Sequence, residues 1–122
     1  MAITRLLVVD DDRYAREALK TVLRRRQCTV DTAENGERAL ELTAVNSYDL
    51  AILDYQLPDM TGVDVLRGAR AVSPTLPAIF VTAFTTIDKV FPAVEAGAER
   101  VLSKPFDADE LLRLVDELVA PA

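Results

Sequence analysis

The sequence predicts a doubly wound α/β fold, a five-stranded parallel sheet in the order 2-1-3-4-5 wrapped by five helices. Three observations carry this. Short apolar runs alternate five times with segments whose apolar residues recur at helical spacing, the pattern of a parallel sheet covered on both faces. Three of the runs, residues 6–9, 50–53 and 78–81, are wholly apolar, as strands buried on both sides require. The other two, residues 28–33 and 99–103, are more polar and suit sheet edges. Right-handed crossovers combined with that placement select the flavodoxin-like strand order.

Each element has a local reason. Residues 4–9 form the first strand, and Asp10-Asp11-Asp12 ends it, with Asp12 placed to cap the next helix. From Arg13 to about Arg26, Ala15, Ala18, Leu19, Val22 and Leu23 make one apolar stripe. The Arg24-Arg25-Arg26 cluster then falls at a helix end, where cations complement the dipole. Residues 28–33 alternate as an edge strand carrying Cys28, read as a small core residue. Asn35-Gly36 breaks the chain before a helix over residues 37–46, built around Ala39, Leu40 and Thr43.

The third strand, residues 50–53, runs into Asp54 and a loop punctuated by Pro58 and Gly62, and a helix over residues 63–71 turns Val63, Leu66 and Ala69 inward. Pro77 opens a fourth strand that ends at Thr82. Ile87, Val90, Phe91 and Val94 repeat at helical spacing with Gly97 as the stop signal. Pro92 lies in that pattern, and because proline cannot donate to a helix interior, a start near Asp88 is favoured over a kink. The fifth strand ends at Lys104-Pro105. Asp107 then caps a last helix with Leu111, Leu112, Val115, Leu118 and Val119 as its apolar positions.

Composition narrows the function. The 122 residues suit a single domain with a real core, and 50% hydrophobic with 28% charged residues is ordinary for a soluble protein. No stretch approaches the about 20 apolar residues of a membrane span. The N-terminus lacks a signal-peptide layout, so a cytoplasmic location is expected. Fourteen basic against twenty acidic residues, net −6, argue against direct nucleic-acid binding. A single cysteine excludes an internal disulfide, and the lack of histidine makes a zinc site improbable. Any chemistry must run on carboxylates, hydroxyls and lysine.

In an open parallel sheet the binding crevice lies beyond the carboxyl ends of the strands at the switch point. There the first strand delivers Asp10 and Asp11, the third Asp54, the fourth Thr82 and the fifth Lys104. Singly, each has a plain structural reading as a cap, a strand-end hydroxyl or a solvated charge. Together they make a site. Clustered carboxylates repel one another unless a cation is present, and all-oxygen ligands suit Mg²⁺. Lysine and a hydroxyl opposite them fit a phosphoryl group, which a carboxylate can attack as nucleophile. Asp54, on the central strand, is the best placed nucleophile.

Val8-Val9-Asp10-Asp11, the run from Asp54 through Leu57-Pro58-Asp59-Met60 to Gly62, Val81-Thr82-Ala83, Gly97-Ala98 and Lys104-Pro105-Phe106 resemble, nearly end to end, the receiver domain of two-component response regulators. The resemblance implies that Asp54 accepts the phosphoryl group. Asp10 and Asp11 would hold Mg²⁺ with Asp54 and the backbone carbonyl of Gln56. Thr82 would hydrogen-bond the phosphoryl group, Lys104 would pair with it, and the Lys104–Pro105 bond is expected to be cis. The donor would be a phosphohistidine on a sensor histidine kinase or a histidine phosphotransfer protein. Tyr14, Ala15 and Ala18 on the first helix are candidates to meet it, the two alanines being equally readable as core. Gln56 and Phe84 would occupy loop positions that in this family tune phosphoryl loss, and Ala83 would leave room for the donor or water. The domain would catalyse only its own phosphorylation and dephosphorylation and possess no outside substrate; it could form the N-terminal part of a longer transcriptional regulator, with the sequence leaving open whether a DNA-binding or an ATPase domain follows Ala122.

Two departures fall on the surface of the fourth helix, fifth strand and fifth helix, the usual output and homodimerisation face. One is Pro92. The other is Val101, where the family commonly carries a switching aromatic. Switching is therefore expected to act through the Thr82–Ile87 loop and the fourth helix. Two other classes remain to be weighed. An aspartyl phosphatase of the haloacid-dehalogenase type would place DxD after the first strand, whereas Asp54 follows the third and its +2 residue is Gln56. A flavin carrier would need a hydroxyl- and Gly-rich loop where Asp10-Asp11-Asp12 stands. A degenerate receiver is disfavoured by the complete acidic set, threonine and lysine.

Overall fold

The computed structural model describes residues 4–83 and 100–119. Its sheet has five parallel strands in the order β2-β1-β3-β4-β5, as the polarity of the runs predicts. The strands are β1 (Thr4–Val9), β2 (Cys28–Ala33), β3 (Leu50–Asp54), β4 (Ala78–Ala83) and β5 (Arg100–Lys104). The helices among the described residues are α1 (Arg13–Leu23), α2 (Gly36–Val45), α3 (Gly62–Val72) and a C-terminal helix (Ala108–Leu118). The helix expected around Ile87, Val90, Phe91 and Val94, with Pro92 and Gly97, lies outside the described residues, as does Phe84.

Alternation along each strand divides the core between the two faces. Leu7, Val9, Ala51, Leu53, Ala78 and Phe80 pack against α2 and α3 through Ala39, Val63, Leu66 and Ala69. Leu6, Val8, Leu50, Ile52, Ile79 and Val81 face Leu19 and Leu23 of α1, and Leu111, Leu114 and Val115 of the C-terminal helix. Each fully buried Leu, Ile or Phe stabilises the fold by about 1.5–3 kcal/mol. Leu114, absent from the predicted stripe, is buried, whereas Leu118 is only partly so.

The caps explain the boundaries. Asp12 accepts the Tyr14 N–H at 2.9 Å, and Asn35 the Arg38 N–H at 2.8 Å. Thr61 and Asp64 form a reciprocal capping box on α3, and Asp107 accepts from Asp109 and Glu110. Gly36 is the first residue of α2 rather than a break before it.

Two expectations for α1 are corrected. The helix ends at Leu23, not Arg26, because Arg25 and Arg26 donate to carbonyls three residues back, which tightens and closes the last turn. The arginines are then more than a complement to the dipole. Arg26 makes a two-pronged ion pair with Asp116 of the C-terminal helix, both bonds at 2.8 Å, and Arg25 approaches Asp109 at 3.9 Å. The Arg26 pair holds the Asp116 carboxyl below its usual range. Ala18 is exposed and Ala15 half-buried, so Ala18 leaves the core and joins Tyr14, 84% exposed, on the outer face.

The sheet end opposite the strand carboxyl termini is locked by Arg5, Asp31 and Tyr48. The Arg5 guanidinium meets Asp31 Oδ2 at 2.8 Å, the Tyr48 hydroxyl donates to that oxygen at 2.7 Å, and Arg5 lies 5.5 Å from the Tyr48 ring centroid. Burial and the Asp31 carboxylate push the Tyr48 phenol up to about 12 from 10.0. The folded state thus keeps a proton that the unfolded chain loses, so stability falls as pH rises from 10.0 toward about 12. Tyr48→Phe is expected to remove that alkaline loss while lowering stability near pH 7, as urea melts across the range will show. Cys28 is half-buried with its thiol directed at the Leu23 carbonyl, 3.2 Å away, and burial raises its pKa.

Candidate functional site

The carboxyl ends of the strands gather the polar residues that interrupt the apolar runs. Asp10 directly follows β1, is 1% exposed and is bonded on every side. Its N–H donates to Ala33 O at 3.1 Å, Oδ1 accepts the Asp12 N–H at 2.9 Å, and its carbonyl accepts from Arg16 Nη1 at 2.7 Å. Asp11, next in the chain, is exposed. Asp54 is the last residue of β3, half-buried, and stands in register with Val81. Its Oδ1 lies 3.4 Å from the Gln56 N–H.

Lys104 reaches across from the far edge of the sheet. Its Nζ donates to Asp10 Oδ2 at 2.7 Å and to Asp54 Oδ2 at 3.3 Å. One ammonium thus spans residues 94 and 50 positions away in sequence. The Lys104–Pro105 bond is cis, in agreement with the sequence reading. Carboxylate oxygens of Asp10, Asp11 and Asp54 lie within 4.8 Å of one another. Thr82 is buried on β4, paired with Ser103 of β5 and one residue beyond Val81. Gln56 is exposed in the β3–α3 loop, bridged to Thr61.

The electrostatics follow from this packing. Burial raises the Asp54 pKa, Lys104 opposes the rise and Asp10 adds to it. For Lys104, burial alone would depress the ammonium, but the Asp10 hydrogen bond and the charges of Asp10 and Asp54 outweigh it, and its pKa is raised. The lysine is therefore a fixed cation between two carboxylates. Three hard oxygen donors so close together fit a divalent ion of the Mg²⁺ class. Beside them opens a groove of about 510 Å³, with Asp11 on one side and Gln56 through Thr61 on the other.

Three residues that shape the site had no role assigned from the sequence. Arg16 supports Asp10 through its main chain, a contact visible only once α1 folds back over β1. Gly62 lies directly beneath the Asp54 carbonyl, where a Cβ would collide with that oxygen and the Phe80 ring. Asp59 caps α2, 22 to 23 residues earlier in the chain. Glycine and aspartate in a loop gave a turn signal, but not these partners.

Comparison with known proteins agrees with the geometry. The response regulator receiver domain profile matches residues 6–116. The chain belongs to the response regulator receiver domains of two-component systems. It is 39% identical over 108 residues to the response regulator MprA of Mycobacterium sp. (strain KMS), covering 88% of this chain and 47% of that one. It is 41% identical over 109 residues to the transcriptional regulatory protein DltR of Streptococcus agalactiae, covering 88% and 48%. The chain thus spans about half the length of these curated relatives. Among solved structures, the CheY-like receiver domain protein from Methanospirillum hungatei JF-1 superposes with a TM-score of 0.88 at 28% identity, covering 95% of this chain and 93% of the other.

Proposed function

We propose that Asp54 is the phospho-acceptor, with Asp10, Asp11, Asp54 and the Gln56 backbone carbonyl as the Mg²⁺ ligands. The observation that carries this is the Lys104 ammonium held between Asp10 and Asp54 at the switch point of the sheet. A bound divalent cation would screen the carboxylates from one another and offset charge on the phosphoryl oxygens. An Asp54 carboxylate oxygen forms the new bond to phosphorus while the bond from phosphorus to the donor nitrogen breaks, and the donor imidazole leaves. Lys104 exchanges part of its contact with Asp54 for a phosphoryl oxygen. The Thr82 hydroxyl donates a hydrogen bond to another. Water attack on the same phosphorus breaks its bond to the Asp54 oxygen, releases inorganic phosphate and returns Asp54 to its free carboxylate; we read the domain as acting on no other substrate.

The donor is a phosphohistidine of a sensor histidine kinase or a histidine phosphotransfer protein, and the exposed Tyr14 and Ala18 of α1 are in place to meet it. The chain is read as a single receiver domain, cytoplasmic, and the N-terminal part of a longer transcriptional regulator. Among the described residues no helix is long and apolar enough to cross a membrane. Output follows the loop after β4 and the fourth helix, with homodimerisation on the same face. Val101 is half-buried against the α2–α3 side of the core, and a valine carries no ring to rotate. A near-complete switch needs about 5.5 kcal/mol of differential stabilisation.

The test is incubation with acetyl phosphate and Mg²⁺, followed by intact mass. A gain of one phosphate that does not form when Mg²⁺ is chelated beforehand is the expected result. If neither acetyl phosphate nor a panel of phosphorylated histidine kinases adds mass, the assignment of Asp54 fails. Structures with and without beryllofluoride then test the output route, which is lost if Thr82 and its loop stay put.

A further inference from the structure

We propose that Asp59 is a positioning residue for the cation site, fixing the loop that carries the Gln56 carbonyl by tying its tip to the N-terminus of α2. This rests on the assignment of that carbonyl as a ligand. The loop from Tyr55 to Thr61 has a well-defined internal shape. The Gly62 N–H donates to Tyr55 O at 2.7 Å, Gln56 and Thr61 form a bridge, and the Leu57 N–H donates to Met60 O at 3.1 Å. None of those bonds leaves the loop and its two anchoring strand and helix ends. They set its shape but not its tilt over the strand ends.

The tilt is set from α2. Asp59 Oδ1 accepts the Gly36 N–H and Oδ2 the Glu37 N–H, both at 2.9 Å. These are donors of the first helical turn that lack partners inside the helix, and a carboxylate there also meets the positive end of the dipole. The neighbouring Met60 side chain lies so close over Gly36 that any Cβ at that position would overlap it. Two bonds and one packed side chain thus pin the tip at three points. The groove between Asp11 and the loop takes its width from that attachment, and Gln56 and Asp59 line the same wall. A ligand carbonyl on an untethered hairpin would sample many tilts, and each loosely held ligand weakens a cation site.

The experiment is calorimetric titration of Mg²⁺ into the wild-type chain, Asp59→Ala and Asp59→Asn, each below its melting temperature, with the Mg²⁺ dependence of acetyl phosphate labelling measured alongside. Asp59→Ala is expected to weaken Mg²⁺ on the order of ten-fold, as loss of a residue supporting a ligand does. Its labelling rate at saturating Mg²⁺ should stay near wild type, a split that general destabilisation does not produce. Asn keeps an acceptor for the helix and should recover most of the affinity. Folded Asp59→Ala with wild-type Mg²⁺ affinity overturns the proposal. Should Asp59→Ala fail to melt cooperatively, the same comparison is made at 10 °C with Asp59→Gly, which also lacks the acceptor, and wild-type affinity there overturns it. A wild-type chain that takes up phosphate but binds no Mg²⁺ overturns the cation reading itself, and the positioning role with it.

Discussion

Asp54→Asn is expected to leave the protein at its unmodified mass after acetyl phosphate and Mg²⁺, and at the same time to raise its melting temperature at pH 7. The first effect is complete loss, because the amide lacks the nucleophilic oxygen and no other carboxylate pairs with Lys104 from the end of β3. The second follows from the direction of the Asp54 shift. Burial comes first among its causes, and Asp10 adds repulsion that Lys104 only partly offsets. The folded carboxyl therefore holds its proton more tightly than the unfolded one. Above the raised folded value the ionised side chain costs the fold stability, and below the ordinary carboxyl value of 3.8 both states are protonated and the cost vanishes. The stabilisation by Asn should be fully present above that window and fade as pH falls through it. Melts of both proteins from pH 3 to pH 8 measure it, and labelling of the wild type should decline over the same window as the nucleophile is lost. A destabilised Asp54→Asn at pH 7 would mean that the Lys104 contact outweighs burial.

Gly62→Val is expected to damage fold and site together. The position has no room: a Cβ there collides with the Asp54 carbonyl oxygen and the edge of Phe80, itself fully buried. Neither neighbour can yield cheaply, since one is strand backbone and the other sits in the centre of the α2–α3 face of the core. Overpacking of this kind costs about 1–3 kcal/mol, with valine at the upper end. That lowers the melting temperature by on the order of 10 °C. Whatever relief the chain finds must move the Asp54 backbone and its carboxylate with it. Labelling at 10 °C, where the variant remains folded, should therefore be slower than wild type. A melt and a labelling rate both matching wild type would show that the loop accommodates the side chain without touching Asp54.

The strand order and the polar set at the switch point were legible because each depends on the chain alone. A wholly apolar run needs two covered faces, and a parallel sheet delivers whatever follows its strands to one edge. Asp10, Asp54, Thr82 and Lys104 could be placed together on that ground. What escaped depends on partners distant in sequence. Periodicity extended α1 to Arg26, since nothing local distinguishes a helical arginine from one drawn toward Asp116 on another helix. Leu114 is buried because it faces the α1 side of the sheet, a fact of packing rather than of spacing. Ala18 fits the stripe of α1 by its position, yet looks outward. Asp59 and Gly62 read as turn residues, and their neighbours at α2 and β3 appear only in three dimensions.

The bridge from Lys104 to Asp10 also orders events during synthesis. A ribosome releases Asp10, Asp11 and Asp54 long before Lys104, at about 5–20 residues per second. Until β5 docks on β4, those three carboxylates have no lysine between them and repel one another. The lysine-bridged carboxylate cluster thus comes into being only when β5 takes its place in the sheet.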